Sequence, residues 1–408
     1  MAWPVPSLMV AGPPPSPRLW RWAVLLAAFL VIGACATLAF WPPAKPAGGV
    51  RFWSALAGIP ILFWVVAFAV RMLLHANACE AAAVLKSECE AVSGQWREWG
   101  ARRVAIIGAA VVTPDADLVE RIVGASGDTE AHPGSHRQLE RIDRDAEPED
   151  RRTALVASLL EPLGHALMRI PPGLEIVAPA VIGTTRWDDA PGIRDVLEGL
   201  SDGKVRGMKP MPGTDKSPAV CFSRSADEQR PQCQLVVATQ LWGNELPGEF
   251  TEAGAAVLLM PEAMAEAMDI RPLAWLYRPM PTTVGTIQDD IVTMQASHRE
   301  LPAVSRLWLS GLDQAAMDAL LIQWSAANDA AGKRAEKIDA TAIDQFVGVP
   351  GPLREWIAFA MSCHAASLSG ADQCCAAGYE GRITLSRVAQ PENQCSGSFD
   401  MTQAVVVS

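Results

Sequence analysis

Five residues near the C-terminus have the side chains of a zinc site: Cys363, His364, Cys374, Cys375 and Cys395. Thiolates and an imidazole can hold the metal and release protons as they bind it. The spacing argues against that use. Cys363 and His364 are adjacent, and no C-x-x-C pairing occurs in the group. A helix over Leu353 to Cys363 puts Leu353, Trp356, Ile357 and Ala360 on one side, with His364 on the same packed face. The expectation is a buried thiol and a hydrogen-bonded core histidine.

The other chemical candidates are thinner. Gly199-Leu200-Ser201-Asp202-Gly203 matches G-x-S-x-G, but a nucleophile elbow needs a strand before the serine and a helix after it. Here a helix precedes and a loop follows, so the glycine reads as a helix terminator. His132 and His136 enclose Pro133-Gly134, which cannot form the helical face that a zinc protease needs. Asp188 and Asp189, and Asp289 and Asp290, are adjacent carboxylates that point to different sides and read as solvated. There is no G-x-x-x-x-G-K-[ST] loop and no G-x-G-x-x-G after the first strand. No residue is assigned to catalysis, a cofactor or a metal.

The formal net charge of −11 argues against a phosphate-backbone partner, because such binding is dominated by clustered lysine and arginine. One loop is locally basic (Lys204, Arg206, Lys209 and Lys216) and reads as solvated. Of nine cysteines, Cys35 lies in an apolar run. Cys221 and Cys233 flank a polar stretch between two strand-like runs and would be bridged in an oxidising compartment.

What must position these groups begins with two uncharged apolar runs, Trp22 to Ala44 and Phe52 to Val70. Each is near the ~20 residues a helix needs to cross the hydrocarbon core. Trp20, Trp22, Trp41 and Trp53 lie at interface depth, where an indole buries its ring and keeps its N–H wet. Two spans put both termini on one side. Arg71, Lys86, Arg97, Arg102 and Arg103 after the second run favour an inside domain under the positive-inside rule. Ile32-Gly33-Ala34-Cys35 faintly resembles a lipoprotein cleavage box, but the apolar run continues past it and the leader is long and Pro-rich.

Behind the second run Ala78, Ala82, Leu85, Cys89, Val92, Trp96 and Trp99 are spaced 4, 3, 4, 3, 4, 3. That is the seam of a helix packed on another helix. Packing onto the chain's own domain and self-association through the seam are the two expectations. Gly100 is placed to end the helix. The organisation is a disordered segment over 1–19, a transmembrane hairpin over 20–74, an amphipathic stalk over 75–100 and a soluble domain over 101–408.

The soluble part alternates strands and helices. Strands are expected at Val104 to Val112, Ile176 to Ile182, Val220 to Ser223, Leu235 to Thr239, Ala255 to Met260, Ala274 to Tyr277, Arg306 to Leu309, Ile383 to Val388 and Ala404 to Val407. Helices are expected at Leu118 to Val123 (started by Thr113-Pro114-Asp115), Thr153 to Met168, Ile193 to Leu200, after Asp313, and from Leu353. Residues 126–152 and 201–217 read as exposed loops. The fold class is a layered α/β domain behind two membrane helices.

Two resemblances follow. From Leu235 onward the order of parts resembles the C-terminal half of thiolase-like, ketosynthase-type domains. Phe250-Thr251-Glu252-Ala253-Gly254-Ala255-Ala256-Val257-Leu258-Leu259 is similar to their small-residue turn into an apolar strand. Leu307-Trp308-Leu309-Ser310-Gly311-Leu312-Asp313 and the helix after it are similar in order. That resemblance implies a cysteine nucleophile at a helix N-terminus assisted by two histidines. Here Cys221 is followed by Phe222, Ser223 and Arg224, and an H-G-T-G-T-like segment is missing where Ser310-Gly311-Leu312 stands, so the resemblance implies a degenerate shape.

The second resemblance is to two-span membrane proteins that accompany type VI secretion effectors. Phe52-Trp53, Gln95-Trp96-Arg97-Glu98-Trp99-Gly100, Thr239-Gln240-Leu241-Trp242 and Trp308-Leu309-Ser310-Gly311-Leu312 carry it. It implies an accessory or protective partner of a secreted effector or of a secretion-machine component, held at the bacterial inner membrane. The expected function is a non-catalytic, membrane-tethered interaction protein. The alternative is a membrane-anchored acyl-transfer enzyme using Cys221.

Overall fold

The structure is a computed structural model describing residues 3–4, 6, 12, 14–42, 49–124, 129–171, 174, 176–177, 180–182, 199, 217–228, 232–242, 248–298, 304–330 and 338–391. The helix expected at 193–200 (Gly199 apart), Ser201, the basic loop, Asp188, Asp189, Cys395 and the strand expected at 404–407 lie outside the described residues. The chain divides into two units, one of Val5–Trp96 and one of Met1–Pro4 with Arg97–Ser408.

The first unit is a pair of helices, α1 (Leu19–Phe40) and the greater part of α2 (Val50–Ala101), both long and apolar enough to cross a membrane. Their apolar side chains face outward, Val31, Leu62 and Phe63 among them. A core helix of a soluble protein would hide such groups. A π-helical turn at Ser54–Gly58 interrupts α2 near its start. Close packing holds the pair, as expected where lipid removes the hydrophobic drive. A side chain at Gly33 would run into Pro60 and the Leu56 carbonyl. Trp64 donates its indole N–H to the Trp22 carbonyl at 2.8 Å, and Phe68 meets Trp22 edge-on and stacks on Trp64.

The second unit is built on one mixed sheet. Its described strands are β1 (Arg103–Val112), β2 (Ile176–Val177), β3 (Ala180–Ile182), β4 (Cys233–Gln240), β5 (Ala253–Pro261), β6 (Ala274–Tyr277), β7 (Met280–Thr282), β8 (Arg306–Ser310), β9 (Asp339–Ala342), β10 (Gln373–Tyr379) and β11 (Arg382–Ala389). They run in the order β2-β4-β5-β1-β6-β11-β10-β8-β9, with β3 on β4 and β7 on β11. β1 lies antiparallel to β5 and β6, and β8 parallel to both β9 and β10.

Alternation along the strands sends side chains to two faces. Val104, Ile106, Val236, Ala238, Val257 and Leu259 join one apolar cluster, completed by α3 (Leu118–Val123), α6 (Pro218–Ala226) and α11 (Arg354–Ser369). Ala105, Ile107, Leu235, Val237, Leu258 and Met260 join the other, closed by α4 (Pro148–Leu160) and α5 (Gly164–Met168). Helices on both faces make the layered α/β domain expected from sequence. The remaining described helices are α7 (Glu262–Ala267), α8 (Ile287–Ser297), α9 (Gln314–Ala330) and α10 (Asp344–Val347). Asp313 starts α9 as expected, accepting the Ala316 N–H at 2.7 Å.

Several expectations are corrected. Val220 to Ser223 is part of helix α6, not a strand, because Pro218 fits the first helical turn. Asp115 does not cap α3; it takes the guanidinium of Arg137 with both oxygens. The stretch read as an exposed loop at 126–152 is anchored, since Leu139 and Ile142 are buried and α4 already starts at Pro148. Trp3 sits in the segment read as disordered, yet it is buried in the second unit. Gly100 does not end the helix, which runs on to Ala101; it admits the close approach of Ser297 and Trp3.

Candidate functional site

Ligands of open α/β sheets bind at the carboxyl ends of the strands. In this domain the parallel set β9-β8-β10 ends at Ser310, Ala342 and Tyr379, around a cleft of about 210 Å3 lined by Leu309, Leu312, Met317, Asp344 and Val349. Asp344 opens α10 and is the one carboxylate among the described residues of the cleft. Burial raises its pKa, and hydrogen bonds from Ser310 and Gly311 oppose that rise. The Ser310 hydroxyl donates to Oδ1 at 2.6 Å and the Gly311 N–H to Oδ2 at 2.7 Å.

Gly311 has a φ of +66°, and a side chain there would meet Arg354 and the Gly378 carbonyl. Asp344 therefore clamps a tight turn with both oxygens. The Ser310 hydroxyl donates to a carboxylate rather than to an imidazole, so among the described residues it has no histidine base.

The thiols of this unit are divided by the sheet: Cys221, Cys363 and Cys375 join the cluster that α11 completes, and Cys233 joins the opposite one. Cys221 of α6 is fully buried; burial pushes its thiol up to about 12, with Arg224 pulling down and Glu355 pushing further up. Cys233 and Cys375 are likewise pushed up to about 12 by burial. Cys363 and Cys374 are raised well above the ordinary value for the same reason. A nucleophilic cysteine needs the opposite, a lowered pKa and access. At pH 7 a thiol near 12 is ionised in about one molecule in 10⁵. Cys221 and Cys233 are free thiols.

Glu355, in the first turn of α11, was missed by sequence reasoning. Its carboxyl is buried and raised to about 7 by that burial, which a hydrogen bond from Thr384 partly offsets. Its Oε1 has no hydrogen-bond partner among the described residues. A signal was present: between Trp356 and Cys363 the helix has no charge, so Glu355 stands at the edge of a wholly buried run. Glu252 was also missed, although it lies in the turn that resembles a ketosynthase. It is buried against Arg151 at 2.7 Å and accepts the N–H groups of Leu139 and Trp242.

The residues singled out from sequence fall in different places. His364 Nε2 lies 2.9 Å from Glu120 Oε1, and the pairing lowers the Glu120 pKa. It is a hydrogen-bonded histidine between α11 and α3, beside the buried Cys363. Cys374 and Cys375 lie on β10, and no three His, Cys, Asp or Glu side chains converge among the described residues. His136 is held on the Gly248 carbonyl and His132 lies near Asp115, so the two serve separate partners. Asp289 is exposed, whereas Asp290, read as solvated, is buried.

In the helical unit Trp20 and Trp53 are exposed, Trp22 packs on Phe68, and Trp41 meets Phe52 edge-on. Of the seam residues in that unit, Leu85 is 54% and Val92 38% exposed, while Cys89 and Trp96 are half-buried. Trp99 belongs to the domain instead, under the guanidinium of Arg278 at 3.9 Å from its ring.

Likeness to solved structures is informative here only for fold. A ketosynthase of a type II polyketide synthase, solved with its acyl-carrier protein and bound to the hexaketide, matches with a TM-score of 0.50 and 11% identity, over 71% of this chain and 100% of that one. The second unit has a thiolase-like fold. An oxazolomycin ketosynthase domain from Streptomyces albus matches with a TM-score of 0.47 and 13% identity, over 72% of this chain and 96% of its own. A single-residue variant of OleA from Xanthomonas campestris matches at 0.42 and 12%, over 71% and 98%. No family model and no curated protein matches the chain. The thiolase-like order noted from Leu235 onward thus agrees with the fold of the domain.

Proposed function

We propose that this chain is a membrane-tethered interaction protein whose thiolase-like body offers a binding surface and performs no catalysis. The observation that carries this reading is the state of its thiols. In the second unit every described cysteine is buried, and burial raises each pKa. The tether is supported by two outward-facing apolar helices. An acidic surface, with a net charge of −11, suits a basic or hydrophobic protein partner.

Within this reading the partner is a secreted effector of type VI secretion or a component of that machine, and the body lies on the cytoplasmic face of the inner membrane. The resemblance of the Trp-bearing segments and the basic residues after the second apolar run support these finer points. Affinity capture of the full chain from several mild detergents, followed by mass spectrometry, tests the proposal. Recovery of one dominant partner is expected; recovery of the chain alone in every detergent contradicts it.

The second reading, an acyl-transfer enzyme with Cys221 as nucleophile, draws its support from the fold. It requires a thiol that is accessible and acidic, and Cys221 is neither.

A further inference from the structure

The first residues of the chain belong to the soluble unit, together with everything from Arg97 onward. Trp3 is only 6% exposed. Its indole N–H donates to the Pro279 carbonyl at 2.9 Å. Its ring meets Trp99 edge-on at 5.5 Å and His298 edge-on at 6.1 Å. A Cβ at position 100 would come within 2.9 Å of Ser297 Oγ and 3.1 Å of the Trp3 ring, so Gly100 allows both to approach closely.

The walls of this notch are themselves fixed. Arg278 stacks on Trp99, donates its Nε–H to the Trp99 carbonyl at 2.9 Å, and forks onto both oxygens of Asp227. The His298 ring lies edge-on to Tyr277 at 4.9 Å, with Nε2 3.3 Å from the Gly100 carbonyl. An indole suits the space because one edge needs an acceptor and the rest needs aromatic contact. Sequence reasoning had given Trp3 no role.

We propose that this notch is a docking site for the chain's own N-terminal segment, with Trp3 as its anchor, and that docking closes the intervening residues into a loop. The occupant is a segment already seated there. A consequence follows for topology. The chain leaves the soluble unit after Pro4 and rejoins it at Arg97, so any membrane crossings between these points are even in number. Both apolar helices cross, or neither does. This consequence rests on the tether proposed above; the docking does not.

The test uses the full chain in detergent with a benzophenone side chain in place of Trp3. Irradiation should join position 3 to peptides within 97–101 or 274–298. In a mixture of isotope-labelled and unlabelled chains, these products should carry a single label state. Mixed-label products would mean that a second copy fills the notch, and products elsewhere or none would remove the docking; either overturns the proposal.

A Trp3→Ala chain supplies an independent reading. Amide exchange should quicken at 97–101 and 277–298 by tenfold or more, with the buried helix 354–369 unchanged. No change at the notch would contradict docking. Side-specific labelling of Pro6→Cys and Glu228→Cys in cells should give one side for both. Opposite sides would overturn the proposal, whereas a chain freed from membranes without detergent, with its cross-link intact, would remove the tether alone.

Discussion

The two units use apolar residues in opposite ways. In the helical pair the large aliphatic and aromatic side chains point outward, as Val31, Leu62 and Phe63 do. In the domain Ile106, Leu155, Leu258 and Phe359 are shut away completely. Burial accounts for the second arrangement, whereas the first belongs to two helices long and apolar enough to cross a membrane. Polar groups repeat the contrast. The domain buries whole ion pairs, Arg151 with Glu252 and Arg387 with Asp372, while neither apolar run contains a charge to pair. The helical pair is specified by composition, the body by partnership.

Breaking a buried pair should have the largest effect. Glu252→Ala leaves Arg151 charged and buried and strips the Leu139 and Trp242 N–H groups of their acceptor. A loss of about 3–5 kcal/mol is expected in chemical denaturation. Phe359→Ala, within the wholly buried stretch of α11, should cost a similar ~3–5 kcal/mol through the cavity it leaves. The same kind of truncation on the other side of the comparison, Leu62→Ala, should leave the domain's unfolding midpoint unchanged. A comparable loss from both would erase the distinction.

The next effect is a pH dependence. Glu355 is held at about 7 in the folded domain against 4.5 in the unfolded chain. Between those values the folded state binds the extra proton, so stability falls as pH rises from about 4.5 through 7 and then levels off. This one group contributes on the order of 3 kcal/mol to that fall. Denaturation midpoints at several pH values should show the slope, and Glu355→Gln should flatten it. An unchanged slope in Glu355→Gln would contradict the assignment.

The smallest effect belongs to the seam. Leu85→Glu or Val92→Glu alters exposed positions and should move domain stability by less than about 0.5 kcal/mol. Self-association through the seam, if present in detergent, should drop in sedimentation measurements. Trp99 should behave differently from these two, because it packs within the domain beneath Arg278.

Sequence made the regular parts of the body legible wherever type and spacing agreed. Ala274 to Tyr277 was read with the bounds it has, and the strands around Val257, Leu307 and Leu385 stand where apolar runs put them. β10 escaped notice because Cys374-Cys375-Ala376-Ala377-Gly378 has little β-propensity; its place is set by β8 and β11 on either side. α6 has strand composition at Val220-Cys221-Phe222, and Pro218 outweighs it. The polar hubs were the least visible. Glu252 and Arg151 look like surface charges in one dimension, and only long-range partners reveal them as interior groups.

The central claim is that the thiolase-like body has no usable thiol nucleophile among its described residues. Alkylation of the native, full-length protein with iodoacetamide at neutral pH, followed by peptide mapping against a denatured control, tests it most directly. Cys221 should react at least a hundredfold more slowly in the native protein than after unfolding, along with Cys233, Cys363, Cys374 and Cys375. Native labelling of Cys221 as fast as, or faster than, the unfolded control would contradict the claim and return the chain to the acyl-transfer reading.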